Sequence, residues 1–180
     1  MIRWMNTFPY TTREYNISSY DPAWIGKFAL TAESLKKIFD EDALDIEHIG
    51  STAVPGMEGK PTVDILVIVA DVSKLDSHKE EMINASYVYP DQIVTERSRL
   101  YREVKDGEII ANIHIFPKNH SHIEEMLMLR DYLRSHPKDI KEYSEFKKLL
   151  KQKYPNDYAE YRIQKDQFMD RVLKKRAGIV

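Results

Sequence analysis

Apolar positions along the 180-residue chain change period several times, and each change marks an element. After Tyr20-Asp21-Pro22, Trp24, Phe28, Leu35 and Ile38 recur near helical spacing. Asp21 can cap and Pro22 suits the first helical position, so a helix is predicted to about Phe39. Residues 43–49 and 62–69 read as strands. The second is almost wholly β-branched or aliphatic, the pattern of a central strand covered on both faces. Ser73 is read as the cap of a short helix to about Ala85, and 86–89 as a further short strand. Residues 99–104 and 108–116 flank Asp106-Gly107, a strong hairpin signal. Beyond Pro117 the period turns helical, with helices expected over 121–135, 138–153 and 156–176, separated by His136-Pro137 and Tyr154-Pro155.

The order α-β-β-α-β-β-β followed by three helices predicts an α+β, mixed-sheet fold. One domain spans 1–180, with a sheet core over 1–117 and a helical part over 118–180 packed on it. That helical part is expected to join the first helix in covering one sheet face. The chain has no cysteine, which excludes disulfides and thiolate metal sites. The opening MIRWMNTFPYTT lacks the apolar core of a signal peptide, and no apolar run approaches the ~20 residues that span a bilayer. A soluble cytoplasmic protein is the expectation, with no membrane partner.

Charge adds an asymmetry to this picture. Residues 1–117 carry 12 Lys and Arg against 19 Asp and Glu, whereas 118–180 carry 15 against 10. The two parts could complement each other across an internal cleft, or the basic part could be a solvated helical surface. Neither has the dense basic stripe with interleaved aromatics of a dedicated nucleic-acid binder.

The candidate chemistry gathers in residues 48–67, HIGSTAVPGMEGKPTVDILV. Gly50-Ser51 after a strand lets backbone approach a ligand, and its N–H groups can cradle a phosphate. Lys60 places a cation before the next strand. Asp64 lies within an apolar run, where a charge is costly to bury. Strand alternation puts it on one face with Thr62, Leu66 and Ile68, away from Val63, Ile65 and Val67. It is either a metal ligand or general base, or the partner of a cation such as Lys60, Arg99 or Arg102. His48 and His114 also lie on predicted strands. With Asp64 they could converge as ligands of one divalent metal (Mg, Mn or Zn) or as acid–base groups, or each could be a hydrogen-bonded core residue. Glu47 should point away from His48. His120-Ser-His122 reads as a surface cap. Arg130 and Arg134 stand one helical turn apart, suited either to gripping an anion or to interhelical ion pairs. Tyr161, Lys165, Phe168 and Val172 form a stripe that reads as packing with a snorkelling lysine.

With those residues in hand, the chain resembles the GrpB family of bacterial proteins. The carrying stretches are YDPAW (20–24), EHIGSTAVPG (47–56), KPTVDILV (60–67), IHIF (113–116) and LRDYLRSHP (129–137), with Tyr143, Lys147, Tyr161 and Lys165 more scattered. The resemblance implies a nucleotidyltransferase-like fold of the polymerase-beta superfamily. There a Gly-Ser pair contacts the triphosphate, and paired carboxylates on the next strand, with a third on a later strand, hold two Mg²⁺ ions. Gly50, Ser51 and Asp64 match that pattern. Leu66 stands at the second carboxylate position, as an apolar residue does in relatives, and His114 at the later-strand position. Mg²⁺ prefers oxygen ligands, so this set departs from a two-metal site. Domains of this kind also occur fused to dephospho-CoA kinase, a nucleotide- or CoA-linked context.

The leading expectation is therefore a protein that binds a nucleotide or other phosphorylated small molecule, with metal-dependent nucleotidyl transfer. Gly50 and Ser51 would hold phosphates, Lys60 and Arg102 would offset their charge, and Arg130 would close the site. Asp64, His48 and His114 would be the catalytic and metal-binding groups. The alternatives are a catalytically inactive ligand-binding or regulatory module of the same fold, and a His/Asp metal-dependent phosphoesterase.

Overall fold

The computed structural model describes residues 15–89 and 97–176. The first helix, α1 (Ala23–Phe39), begins where Asp21 Oδ1 accepts the Ala23 N–H at 2.9 Å. Strands β1 (Ala43–Ile49) and β2 (Val63–Val69) follow, separated by an irregular loop that contains a short 3₁₀ turn at Ser51–Ala53. Next come α2 (Lys79–Asn84), β3 (Tyr87–Val88), β4 (Arg99–Lys105) and β5 (Glu108–Pro117). Three helices complete the order: α3 (Ser121–Ser135), α4 (Pro137–Lys153) and α5 (Tyr158–Arg176).

The helix expected over 73–85 is instead a 3₁₀ turn, Val72–Leu75, followed after a break by α2. Asp71, not Ser73, supplies the cap: its carboxylate accepts the Ser73 N–H at 2.8 Å. Asp106 (φ 53°) and Gly107 (φ 80°) make the β4–β5 turn with the two left-handed residues that a tight hairpin needs.

The sheet order is β1-β2-β5-β4-β3. Only the β2–β5 pair is parallel, so the fold is α+β with a mixed sheet. Its central strand β2 is apolar on both faces because both are covered. On one face Val63, Ile65 and Val67 pack with Tyr101, Ile113 and Ile115 against Trp24, Leu35 and Phe39 of α1. On the other, Leu66, Ile68 and Phe116 pack against Ile123, Met126 and Leu127 of α3. The C-terminal helices thus lie across the sheet from α1 rather than beside it. Alternation explains the difference: β2 exposes an apolar row to each side, and each row needs its own cover. The helices also share a core of their own, where Val54 and Met57 from the β1–β2 loop meet Leu133, Tyr143, Phe168 and Val172. Among the described residues, no helix is long and apolar enough to cross a membrane.

Candidate ligand-binding site

The site begins where β1 ends. Gly50 has φ 74° and ψ −169°, a backbone conformation open essentially to glycine alone. A Cβ there would lie 2.6 Å from Asp64 Oδ2. Conformation and space both exclude a side chain, so the strand can turn sharply over the carboxylate and present Ser51 beyond it. Gly59 serves the same turn from the other side, since a Cβ on it would come within 2.8 Å of the Ser51 Cβ.

Register decides which candidates join this turn. Ile49 pairs with Asp64, Asp64 with Asn112, Leu66 with His114, and Arg102 with Asn112. Asp64, Asn112, His114 and Arg102 therefore share one face. Asp64 Oδ1 accepts from Asn112 Nδ2 at 2.8 Å and lies 3.6 Å from His114 Nε2. Burial pushes the Asp64 carboxyl up, but His114, Asn112 and Lys60 outweigh it and hold the group below the ordinary carboxylate range.

His48 is a correction to the expected trio. It pairs with Ile65, so its ring emerges on the opposite face, stacked 4.7 Å from Phe28 of α1, and its Nε2 lies 2.9 Å from Thr52 Oγ1. Burial drives its pKa down to about 4. It braces the turn from behind and cannot join Asp64 in holding a metal. Glu47 occupies the Asp64 face instead and accepts a hydrogen bond from Arg130 Nη1. Arg130 also donates to the His48 carbonyl at 3.0 Å and, through Nε, to Asp131 at 2.7 Å. It reaches the site as expected, but its guanidinium is committed to two carboxylates. Arg134 donates to the Ala53 carbonyl at 2.9 Å, a tie between α3 and the turn. Arg99, one of the cations considered for Asp64, pairs with Asp76 instead.

The helical part closes this face into a cavity of ≈ 260 Å³. Five cations line it, Lys60, Arg102, Arg130, Arg162 and Lys165, together with the amine of Lys147, against three carboxylates, Asp64, Glu125 and Asp166. Lys60 donates to the Tyr158 hydroxyl and lies 4.4 Å from the centre of that ring. Burial would raise the Tyr158 pKa, but Lys60, Lys165 and Arg162 together leave it lowered. Burial also lowers the pKa of Arg102. Lys147 is only 1% exposed. It donates to the Glu58 carbonyl, its Nζ is 3.0 Å from Ser51 Oγ, and it sits 4.5 Å over the Tyr143 ring. Burial, helped by Lys165, brings its pKa down to about 7.

Lys147, Tyr158, Arg162 and Glu125 were not singled out from sequence as site residues. One signal was available for Lys147: it interrupts the buried stripe of α4 between Tyr143 and Leu150, where a lysine has no packing reason to be.

The residues do not fit a two-metal centre. Asp64 and His114 are two donors, Asn112 already occupies one Asp64 oxygen, and Leu66 is fully buried where a second carboxylate would stand. Among the described residues, no three His, Cys, Asp or Glu side chains are grouped so as to hold a metal ion. What the arrangement does offer is a cavity with more cations than carboxylates in its lining, and with the Ser51 hydroxyl and the Lys147 amine side by side.

An open mixed sheet with a Gly-Ser turn at one edge, roofed by three consecutive helices, is the architecture of a protein family known from sequence and structure. The family model described as "GrpB protein" matches residues 14–175, and the chain belongs to that family. The glutamate-rich protein GrpB of Alkalihalophilus pseudofirmus is 30% identical over 171 residues, covering 90% of this chain and 95% of that one. The UPF0157 protein YqkA of Bacillus subtilis is 31% identical over 160 residues, 89% of this chain. This chain spans only 46% of the length of YqkA. The crystal structure of the conserved protein GrpB from Enterococcus faecalis matches with a TM-score of 0.80 and 32% identity, covering 89% of this chain and 99% of that one.

Proposed function

We propose that the cavity between the sheet and the C-terminal helices binds a nucleotide or another phosphorylated small molecule, and does so without a two-metal centre. The observation that carries this reading is the excess of cations over carboxylates around the Gly50-Ser51 turn. An enclosed cationic cavity raises the local potential and favours a compact polyanion over a neutral ligand. Gly50 lets the backbone approach such a ligand, and Lys60, Arg162 and Lys165 offset its charge. The resemblance to nucleotidyltransferases agrees on where phosphates would lie, but metal-dependent transfer has too few donors to be part of the proposal.

The test is a thermal-shift screen of the purified chain against nucleotides, CoA precursors and their dephosphorylated counterparts, each with Mg²⁺, Mn²⁺, Zn²⁺ or EDTA. A ligand that binds only the native state stabilises it, by about 2.7 kcal/mol at a hundredfold excess over its Kd. At least one phosphorylated compound should raise Tm in EDTA, its dephosphorylated form should not, and Lys165→Ala should reduce the shift. The proposal is wrong if no phosphorylated compound shifts Tm at millimolar concentration. A shift that requires metal and disappears in Asp64→Asn would overturn the metal-independent part.

A further inference from the structure

Lys147 presents a problem that phosphate binding alone does not solve. Lys165 keeps part of its side chain exposed and lies 3.6 Å from Asp166. Lys147 is instead enclosed, and among the described residues no carboxylate forms an ion pair with it. The Glu58 carboxylate, which acts on Lys147 electrostatically, is bonded at 2.8 Å to Lys148. Its two polar neighbours are the Glu58 carbonyl, which can only accept, and the Ser51 hydroxyl, which can donate as well as accept. As it stands Lys147 Nζ donates to both, and a neutral amine can keep an N–H on the carbonyl while turning its lone pair to the serine proton.

We infer that Ser51 and Lys147 form a serine–lysine dyad able to hydrolyse a small ester that carries an anionic group. The groups stand in the required relation. Nucleophile and base are 3.0 Å apart, within the range for proton transfer. The base is oriented by a third group, the Glu58 carbonyl, and by the Tyr143 ring beneath it. Both dyad residues line the cavity a substrate would fill. Gly59 leaves the room that Ser51 occupies, since a Cβ there would come within 2.8 Å of the Ser51 Cβ.

The chemistry balances with water as the co-reactant. Ser51 Oγ bonds to the ester carbonyl carbon while its proton passes to Lys147 Nζ. The tetrahedral adduct expels the alcohol oxygen, which takes that proton and leaves as the alcohol. Water then attacks the acyl-serine, gives its proton to Lys147, and the carboxylic acid departs as the proton returns to Ser51. The three groups that bear on the amine are Lys165 of α5, Glu58 of the loop and Tyr143 of its own helix. Burial, with Lys165, favours the free base near neutral pH, and Glu58 opposes them. The preference for an anionic substrate rests on the cavity reading above. The nucleophilicity of Ser51 does not.

The test is labelling of the intact chain by a fluorophosphonate, with the modified peptide located by mass spectrometry and the rate followed from pH 5.5 to 8.5. Labelling should fall on Ser51, be absent in Ser51→Ala, and speed up with pH through about 7. Lys147→Arg keeps a charge but cannot act as a base, and should slow labelling about a hundredfold, with its thermal melt confirming the fold. Absence of labelling at Ser51, or a Lys147→Arg rate equal to wild type, overturns the dyad. Should Lys147→Arg fail to fold, a flat wild-type pH profile does the same. A p-nitrophenyl ester with a carboxylate arm should be cleaved at least about tenfold faster than p-nitrophenyl acetate, a difference of about 1.4 kcal/mol in transition-state binding. Equal cleavage of the two would remove the anionic preference while leaving the dyad. A Tm shift with phosphorylated ligands and no labelling would remove the dyad while leaving the anion cavity.

Discussion

Replacing Lys147 with methionine isolates the energetic cost of enclosing that amine. An unfolded lysine titrates near 10.5, whereas burial brings Lys147 down to about 7, a difference worth roughly 5 kcal/mol. The sign follows from proton counting. Between the two values the unfolded chain holds a proton that the folded chain lacks, so stability rises with pH across that window by about 1.4 kcal/mol per unit and is flat below it. The Lys147→Met variant has no such dependence. It also abandons the Glu58 carbonyl and the Ser51 hydroxyl, a loss of about 1–3 kcal/mol at every pH. Urea melts of wild type and Lys147→Met at pH 6, 7, 8 and 9, at constant ionic strength, should therefore give a difference that stays level to pH 7. It should then grow in favour of wild type by about 2–3 kcal/mol by pH 9. Other titrating groups act equally on both proteins and cancel. Parallel pH curves for the two would mean that Lys147 stays charged in the fold, and would refute both the depressed pKa and its role as a base.

Three further outcomes are expected. Gly50→Ala combines a strained backbone, about 1–3 kcal/mol, with displacement of Asp64, whose Oδ2 lies 2.6 Å from the added methyl. A loss below about 1 kcal/mol by urea melting would contradict that geometry. His48→Gln should leave ligand affinity by calorimetry unchanged, because the ring lies on the α1 face, and should flatten the pH dependence of stability between 6.5 and 4. In wild type that window is where the unfolded histidine takes up a proton and the folded one does not, so stability falls as pH drops through it. Asp64→Asn keeps an acceptor for Asn112 and should cost under about 2 kcal/mol at pH 7 by thermal melting. The difference should shrink as acid protonates the wild-type carboxyl below its depressed pKa. With one negative charge fewer, phosphorylated ligands should bind Asp64→Asn as tightly as wild type or more tightly.

Elements and their faces were readable to the extent that local patterning governs them. The alternation around Asp64 placed it with Leu66, and the Asp106-Gly107 turn emerged at its expected residues. His48 was misplaced because its face depends on the register between β1 and β2. An irregular loop joins those strands, and a one-residue change of register exchanges the two faces. The break between Leu75 and Lys79 was missed because Ser73 and Asp71 are both good caps, and choosing between them needs the tertiary path. The roof of the cavity was the least visible part. Tyr158 and Arg162 sit on a helix whose own sequence explains them as an ordinary amphipathic surface, and only Lys147, set in the buried stripe of α4, gave a signal. Their role exists only once they face the sheet.

The bonds that complete the cavity join distant parts of the chain: Lys147 to Ser51 across 96 residues, and Tyr158 to Lys60 across 98. Contacts of such span form late, because the intervening chain must first give up its freedom. On a ribosome, β1, the Gly50 turn and β2 emerge long before α5 does. Until α4 and α5 are made, the emerging chain thus carries the serine and the carboxylate without the amine that would activate one or the cations that would draw an anion toward the other. Completion of the cavity therefore waits for α5 to be made.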